Sequence, residues 1–396
     1  MRSSRSLPLL LVITLGILAA ACEREPVGPP GVAAPPVATA QASGDEGPPP
    51  KYNFGQDTYR TGVFTGEGVT PTGLQCTTFA DGQGQVCNGF LASNVDGTRL
   101  DVRLAVPAGA AGVLHPLVVL VHGYGGSKSS SSDIADSLYA DGYAVLRYST
   151  RGFGKSWGQV NLADEHAEIA DLRSMVGQVV DDPRFSLDPD AVAVTGASYG
   201  GGHSWLSLLQ PTFRSPRGAG VRIRAIAPIA PWTDLLYALA PNGSPRESLD
   251  RPGAAKISWI DALFVGGAHE PTEERPYVNY PDYLVAWGGY LNGAEPNEVD
   301  PIYRQLGDGL AGYRSVWWRK DFWRQVAQHR VPIFQVQGLT DDLFPLPEGL
   351  RMLLALRTVD PAYPITSYFG DLGHPRARNK QREVDHVLRL MRTWLA

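Results

Sequence analysis

Cysteine is nearly absent, with three in 396 residues at positions 22, 76 and 87. None belongs to a Cys-x-x-Cys pair and none has a neighbouring histidine, which excludes a zinc ribbon or a dithiol redox centre. Histidine is sparse too, at eight, and no His/Asp/Glu group has ligand spacing. No metal and no cofactor are expected. Lys+Arg number 35 against 40 Asp+Glu, a net charge of −5 with no basic tract, so nucleic acid finds no electrostatic footprint. Long hydrophobic runs are also missing. Leu7 to Ala21 is short for a membrane span.

That run has another reading. Arg2 and Arg5 precede it, and Leu18-Ala19-Ala20-Ala21-Cys22 ends it, so residues 1–22 form a targeting segment. Two outcomes stay open. Ala19-Ala20-Ala21 suits cleavage by signal peptidase, and the same stretch resembles a bacterial lipobox in which Cys22 becomes the lipidated N-terminus. Residues 23–60, rich in Pro, Gly and Ala, read as a tether. The expected location is outside the cytoplasm, as a cell-envelope lipoprotein or a secreted protein, and any membrane contact runs through the lipid. Cys76 and Cys87 flank the turn residues Asp81-Gly82 and Gly84. They face each other across a hairpin, and in an oxidising compartment they are expected to be bonded.

The chain then alternates strands and helices. Leu100 to Val106 reads as a half-exposed strand and Leu117 to Val121 as a buried one. A helix is expected near Ile134 to Ala140, a strand at Tyr143 to Tyr148 and a helix over Glu165 to Val180. Strands at Ala191 to Val194 and Ile223 to Pro228 follow. Pro231 to about Arg324 breaks the rhythm. The alternation resumes at Val331 to Val336, a helix near Leu346 to Leu356, a strand at Ile365 to Phe369 and a closing helix at Val384 to Leu395. The fold class is α/β, a mostly parallel, doubly wound sheet. Core segments at 61–235 and 324–396 enclose a mainly helical cap insertion at 236–323.

Gly196-Ala197-Ser198-Tyr199-Gly200 lies between the Ala191 strand and an expected helix at Ser204 to Leu209. Strand, Gly-x-Ser-x-Gly, helix is the nucleophile elbow of an α/β-hydrolase. A second Gly-x-Ser-x-Gly, around Ser156, opens no helix and reads as a glycine-rich loop. A serine nucleophile needs a base and an acid after later strands. His374 supplies the base, and the acid is Asp341 or Asp342, with Asp371 weaker. The Tyr199 N–H is one oxyanion donor. In His122-Gly123-Tyr124-Gly125, either the backbone N–H or the phenol of Tyr124 is the other. His166 and His203 read as structural.

Gly196 to Gly201, the Thr150-Arg151-Gly152-x-Gly154-x-Ser156 loop, Gly338-x-x-Asp341-Asp342 and Trp317 to Asp321 resemble the Xaa-Pro dipeptidyl-peptidase and cocaine-esterase-like hydrolases, with prolyl oligopeptidases as more distant relatives. The resemblance spans about residues 88–396. It implies Ser198 as nucleophile, Asp341 as acid, His374 as base, and Tyr199 and Tyr124 at the oxyanion. Members usually continue past the catalytic histidine into a β-sandwich domain, whereas this chain stops at Ala396. Any specificity that domain helps to shape, Xaa-Pro release included, is therefore not implied.

The expectation is an exported serine hydrolase that cleaves an ester or amide of a small molecule or peptide through an acyl-serine intermediate, Xaa-Pro dipeptidyl-peptidase-like. A carboxylesterase without peptidase activity is the alternative. A non-catalytic, hydrolase-like binding lipoprotein is the rival from another class. Trp317 and Trp318, with Trp259, Trp287 and Trp323, are candidate pocket walls, although packing within the cap explains each equally well. A dipeptidyl-peptidase also needs a carboxylate for the substrate's amine, and Glu270, Glu273, Glu274 and Asp282 are available.

Overall fold

The computed structural model describes residues 72–80, 82–110, 112–241, 254–272, 275, 277–293 and 299–396. The targeting segment, Cys22 and the tether lie outside the described residues.

The described chain opens on a hairpin of β1 (Gly73–Thr78) and β2 (Gly84–Ala92), where Cys76 stands opposite Cys87 and is disulfide-bonded to it. β3 (Arg99–Pro107) and β4 (His115–Val121) lead to α1 (Ser132–Ala140) and β5 (Ala144–Tyr148). Next come α2 (Glu168–Val180), β6 (Leu187–Ala197), α3 (Tyr199–Ser207), β7 (Thr212–Arg214) and β8 (Gly220–Ile229). Helices then take over: α4 (Leu235–Leu239), α5 (Ile257–Gly267), α6 (Asp282–Gly293), α7 (Pro301–Tyr313) and α8 (Lys320–His329). β9 (Ile333–Gly338), α9 (Pro347–Val359), β10 (Ile365–Gly370) and α10 (Gln381–Leu395) complete the core.

The strands pair in the order β1-β2-β3-β5-β4-β6-β8-β9-β10. The β1/β2, β2/β3 and β3/β5 pairs are antiparallel, and every later pair on this path is parallel. β4 and β5 are buried along nearly their whole length, which is why they read as unbroken apolar runs. Val119 belongs to the same buried cluster as Leu172 and Met175 of α2 and Trp205 of α3, and Val118 and Leu120 belong to a second with Leu138 of α1. Val387 and Met391 of α10 extend that second layer over Phe334 and Val336 of β9. Helices on both faces of a mostly parallel sheet in this order make the α/β-hydrolase fold. The parallel strands all end on one edge, and their outgoing loops are where such sheets place chemistry.

Two details differ from the sequence reading. β7, three residues paired antiparallel with β8, is too short to show a period. The cap boundary expected at 323/324 falls inside α8. Phe322 of that helix packs edge-on against Trp205 of α3, at 6.2 Å between ring centroids. Among the described residues, no helix is long and apolar enough to cross a membrane.

Candidate active site

The turn from β6 into α3 leaves no room for a side chain two residues either side of Ser198. A Cβ on Gly196 would come within 2.4 Å of the Val121 carbonyl oxygen, and one on Gly200 within 2.1 Å of the same atom. Ser198 itself has φ of 56°, a left-handed conformation that costs a non-glycine residue on the order of 1–3 kcal/mol. The strain is held by the Ser198 N–H, which donates to the Ile229 carbonyl at 2.9 Å, and by the start of α3.

His374, after β10, brings Nε2 to 2.7 Å from Ser198 Oγ. Its Nδ1 lies 2.8 Å and 3.0 Å from the two carboxylate oxygens of Asp341, after β9. Asp341 is 5% exposed, and its Oδ1 also accepts the N–H groups of Leu343 and Phe344. Asp342 is exposed, and Asp371 is exposed beside Thr340 and Lys380. The geometry therefore joins Asp341 to the imidazole and leaves the other two carboxylates outside. Asn379, which the sequence did not single out, brackets the histidine loop: Gly373 N–H donates to its Oδ1, and its Nδ2 donates to the Gly373 carbonyl. Phe344 and Trp259 set their rings edge-on to His374.

Around the serine, Tyr199 opens α3, where the first N–H groups have no intrahelical acceptor. The Gly126 N–H closes a turn on the Gly123 carbonyl. A Cβ on Gly123 would lie 4.0 Å from the Ser198 Cβ, so this turn is next to the nucleophile position. The Tyr124 phenol donates to Tyr280, whose own hydroxyl donates to the Phe264 carbonyl, so it is tied into the cap and the backbone N–H is left as the donor that can face Ser198. His122 orients the turn. Its Nε2 accepts the Thr150 N–H, its Nδ1 donates to the Gly123 carbonyl, and burial pushes its pKa down to about 4.

Ser156 is fully buried. Its Oγ donates to the Ser149 carbonyl and accepts the Asp101 N–H, a staple within the loop. His203 donates from Nδ1 to the Tyr199 carbonyl, and burial pushes its pKa down to about 3, as a packed, neutral imidazole requires. His166 is paired with Glu165 near the surface.

Beneath the elbow lies a buried carboxyl that the sequence reading missed. Glu168 takes the N–H groups of Asn161 and Asp164 and the hydroxyl of Tyr199. Desolvation is the main cause that pushes its pKa up from 4.5 to about 8, against the pull of Arg151. A carboxyl with a raised folded pKa binds its proton in the native state and loses it on unfolding. Its stabilisation is present below pH 4.5 and is lost as pH rises towards about 8. Glu168→Gln removes the titration, so its melting temperature should vary less than that of wild type across this window; equal slopes would refute the assignment.

Ser198 borders a cavity of about 100 Å³ that extends under the cap. Its wall includes Leu239 of α4, Leu263 and Phe264 of α5, Trp287 of α6, Leu310 of α7 and, from the core, Phe344. Among the described residues, no Asp, Glu, Lys, Arg or His side chain lines it. Trp317 and Trp318, expected as pocket wall, are not there. Trp318 is 1% exposed and donates to Asp234, while Trp317 lies under the Arg351 guanidinium and against Trp323. Trp318 satisfies its indole N–H on the buried Asp234 carboxylate, and Trp317 packs beneath Arg351 of α9. Trp287, and Trp232 from the loop after β8, line the cavity instead. Glu270 and Asp282 do not reach its wall, and Glu273 and Glu274 lie outside the described residues.

A family model described as X-Pro dipeptidyl-peptidase (S15 family) matches residues 96–374. The quorum-quenching protein AidA of Acinetobacter baumannii (strain MDR-ZJ06) is 33% identical over 189 residues, which are 45% of this chain and 56% of that protein. The chain thus spans little more than half the length of this relative. Among solved structures, acetyl xylan esterase 1 from Thermoanaerobacterium sp. JW/SL YS485 is similar at a TM-score of 0.49 and 15% identity, over 82% of this chain and 88% of that one. An esterase of Pyrococcus furiosus is similar at a TM-score of 0.49 and 16% identity, over 84% and 98%. The chain has the α/β-hydrolase fold and, with the match covering the elbow and both loops that meet it, belongs to the X-Pro dipeptidyl-peptidase (S15) family.

Proposed function

We propose that this chain is a serine hydrolase that transfers an acyl group from an ester or amide first to Ser198 and then to water. The observation that carries the reading is the unbroken run of contacts from Ser198 Oγ through His374 to Asp341. Oγ attacks the carbonyl carbon while Nε2 takes the hydroxyl proton. The N–H groups of Tyr199 and Tyr124 hold the oxyanion. The C–O or C–N bond then breaks, and the imidazolium passes its proton to the departing alcohol or amine. Water gives a proton to Nε2 and attacks the acyl-serine, and the carboxylic acid leaves as Ser198 regains its proton. Asp341 keeps the histidine in the tautomer with its proton on Nδ1 and stabilises the imidazolium.

The reading extends to an exported protein, lipidated at Cys22 or cleaved after Ala21. The Cys76–Cys87 bond supports this, since such bonds persist in oxidising compartments. A short p-nitrophenyl ester and Ala-Pro-p-nitroanilide, assayed side by side, test the activity. Turnover of either supports a hydrolase. Turnover of neither, with no reaction of Ser198 with a fluorophosphonate, overturns the reading in favour of a non-catalytic binding protein.

A further inference from the structure

Ser198 borders a second cavity too, beside His374 and α10; taking the serine-hydrolase reading as given, the one under the cap points to the kind of acyl group the site receives. We infer that this group is an uncharged, flexible hydrocarbon chain seated under the cap, and not a dipeptidyl group with a free amine. Two observations carry this.

The first is polarity. An ammonium in the cavity would give up its hydration with no carboxylate among the described residues of the wall to replace it, and an unpaired buried charge is strongly disfavoured. A peptide fares little better, because its N–H and C=O groups need partners and four of the wall's polar side chains are engaged within the protein. The Tyr124 and Tyr280 phenols run in series to the Phe264 carbonyl. The Tyr199 hydroxyl is held between the Ala163 N–H and Glu168, and the Trp232 indole N–H donates to the Arg314 carbonyl. A methylene chain asks for none of these contacts.

The second is shape. The cavity begins at Ser198, on the sheet, and is walled by side chains of α5, α6 and α7. Trp287 lies directly on Gly309 of α7, where a Cβ would come within 2.1 Å of the indole. The wall is thus set by large apolar side chains on cap helices, packed closely enough to limit how much chain can enter. Substitutions on these helices change the capacity without touching Ser198, His374 or Asp341.

The test is a series of p-nitrophenyl esters, from acetate through butyrate, hexanoate and octanoate to decanoate. Wild-type kcat/KM should climb about fourfold for each CH2 that leaves water, then stop climbing once the cavity is full. Leu263→Trp and Leu310→Trp, on different helices, should each lower kcat/KM for octanoate at least about tenfold relative to acetate. Acetate turnover in the same variant reports an intact site, and a variant that does not fold leaves the other to decide. A flat chain-length profile in wild type, or Trp variants that treat octanoate and acetate as wild type does, would overturn the inference. So would Ala-Pro-p-nitroanilide cleaved faster than any ester and protected by acetylating its amine. Acetate turnover that survives Ser198→Ala strikes instead at the serine-hydrolase reading itself.

Discussion

Ser198→Ala should lower kcat by roughly 10⁴- to 10⁶-fold, whichever acyl substrate is used. The hydroxyl is the atom to which the new bond forms, and nothing else in the elbow replaces it. Ser156→Ala is the matched control, since both serines stand in a Gly-x-Ser-x-Gly sequence. Ser156 is buried with its Oγ between the Ser149 carbonyl and the Asp101 N–H, and no histidine is among its hydrogen-bond partners. Its loss should cost about 1–3 kcal/mol of stability, as one buried donor and one buried acceptor lose their partner, and should leave kcat within about threefold. Steady-state kinetics and thermal unfolding on the two variants separate the effects. Comparable losses of rate from both would contradict the placement of the nucleophile.

The second large effect is expected at Asp341. Its Oδ1 accepts two backbone N–H groups, from Leu343 and Phe344, while Oδ2 lies 2.8 Å from His374 Nδ1. In Asp341→Asn those N–H groups demand the carbonyl oxygen of the new amide and turn its NH2 towards the histidine. The NH2 can only donate, so Nδ1 becomes an acceptor and the ring proton moves to Nε2. An Nε2–H cannot take the serine proton. Turnover should fall by about 10⁴-fold with the fold intact. Asp342→Asn alters an exposed side chain and should stay within about threefold. The reverse ranking of the two asparagine variants would transfer the role to Asp342.

Why the sequence separates these two aspartates only through resemblance is physical. Both follow the same strand, and one residue of difference decides which side chain turns inward. The decision is made by the turn Asp341–Phe344, whose backbone N–H groups need an acceptor, and that need is not written in the spacing. The parallel strands were legible because burial on both faces demands apolar residues throughout, as in Leu117 to Val121. The elbow was legible because only glycine fits against the Val121 carbonyl. The cap was not. α5 and α6 bury aromatic and aliphatic side chains against one another and against the cavity, so their apolar residues do not follow one simple face. The tryptophans show the same limit: Trp287 lines the cavity, while Trp318 is locked against Asp234, and composition alone treats them alike. Glu168 was hidden inside the apolar pattern of α2, where a single carboxyl reads as the exposed side of the helix.

The central claim is a covalent acyl group on Ser198. The most direct measurement is to mix the protein with a p-nitrophenyl ester, quench in acid within the first turnovers, digest, and weigh the peptide that contains Ser198. The account predicts that this peptide gains the mass of the acyl group in wild type, and that the gain is absent in Ser198→Ala and sharply reduced in His374→Ala. An acyl group found on another residue, or full turnover with no acylated peptide at any quench time, would contradict it.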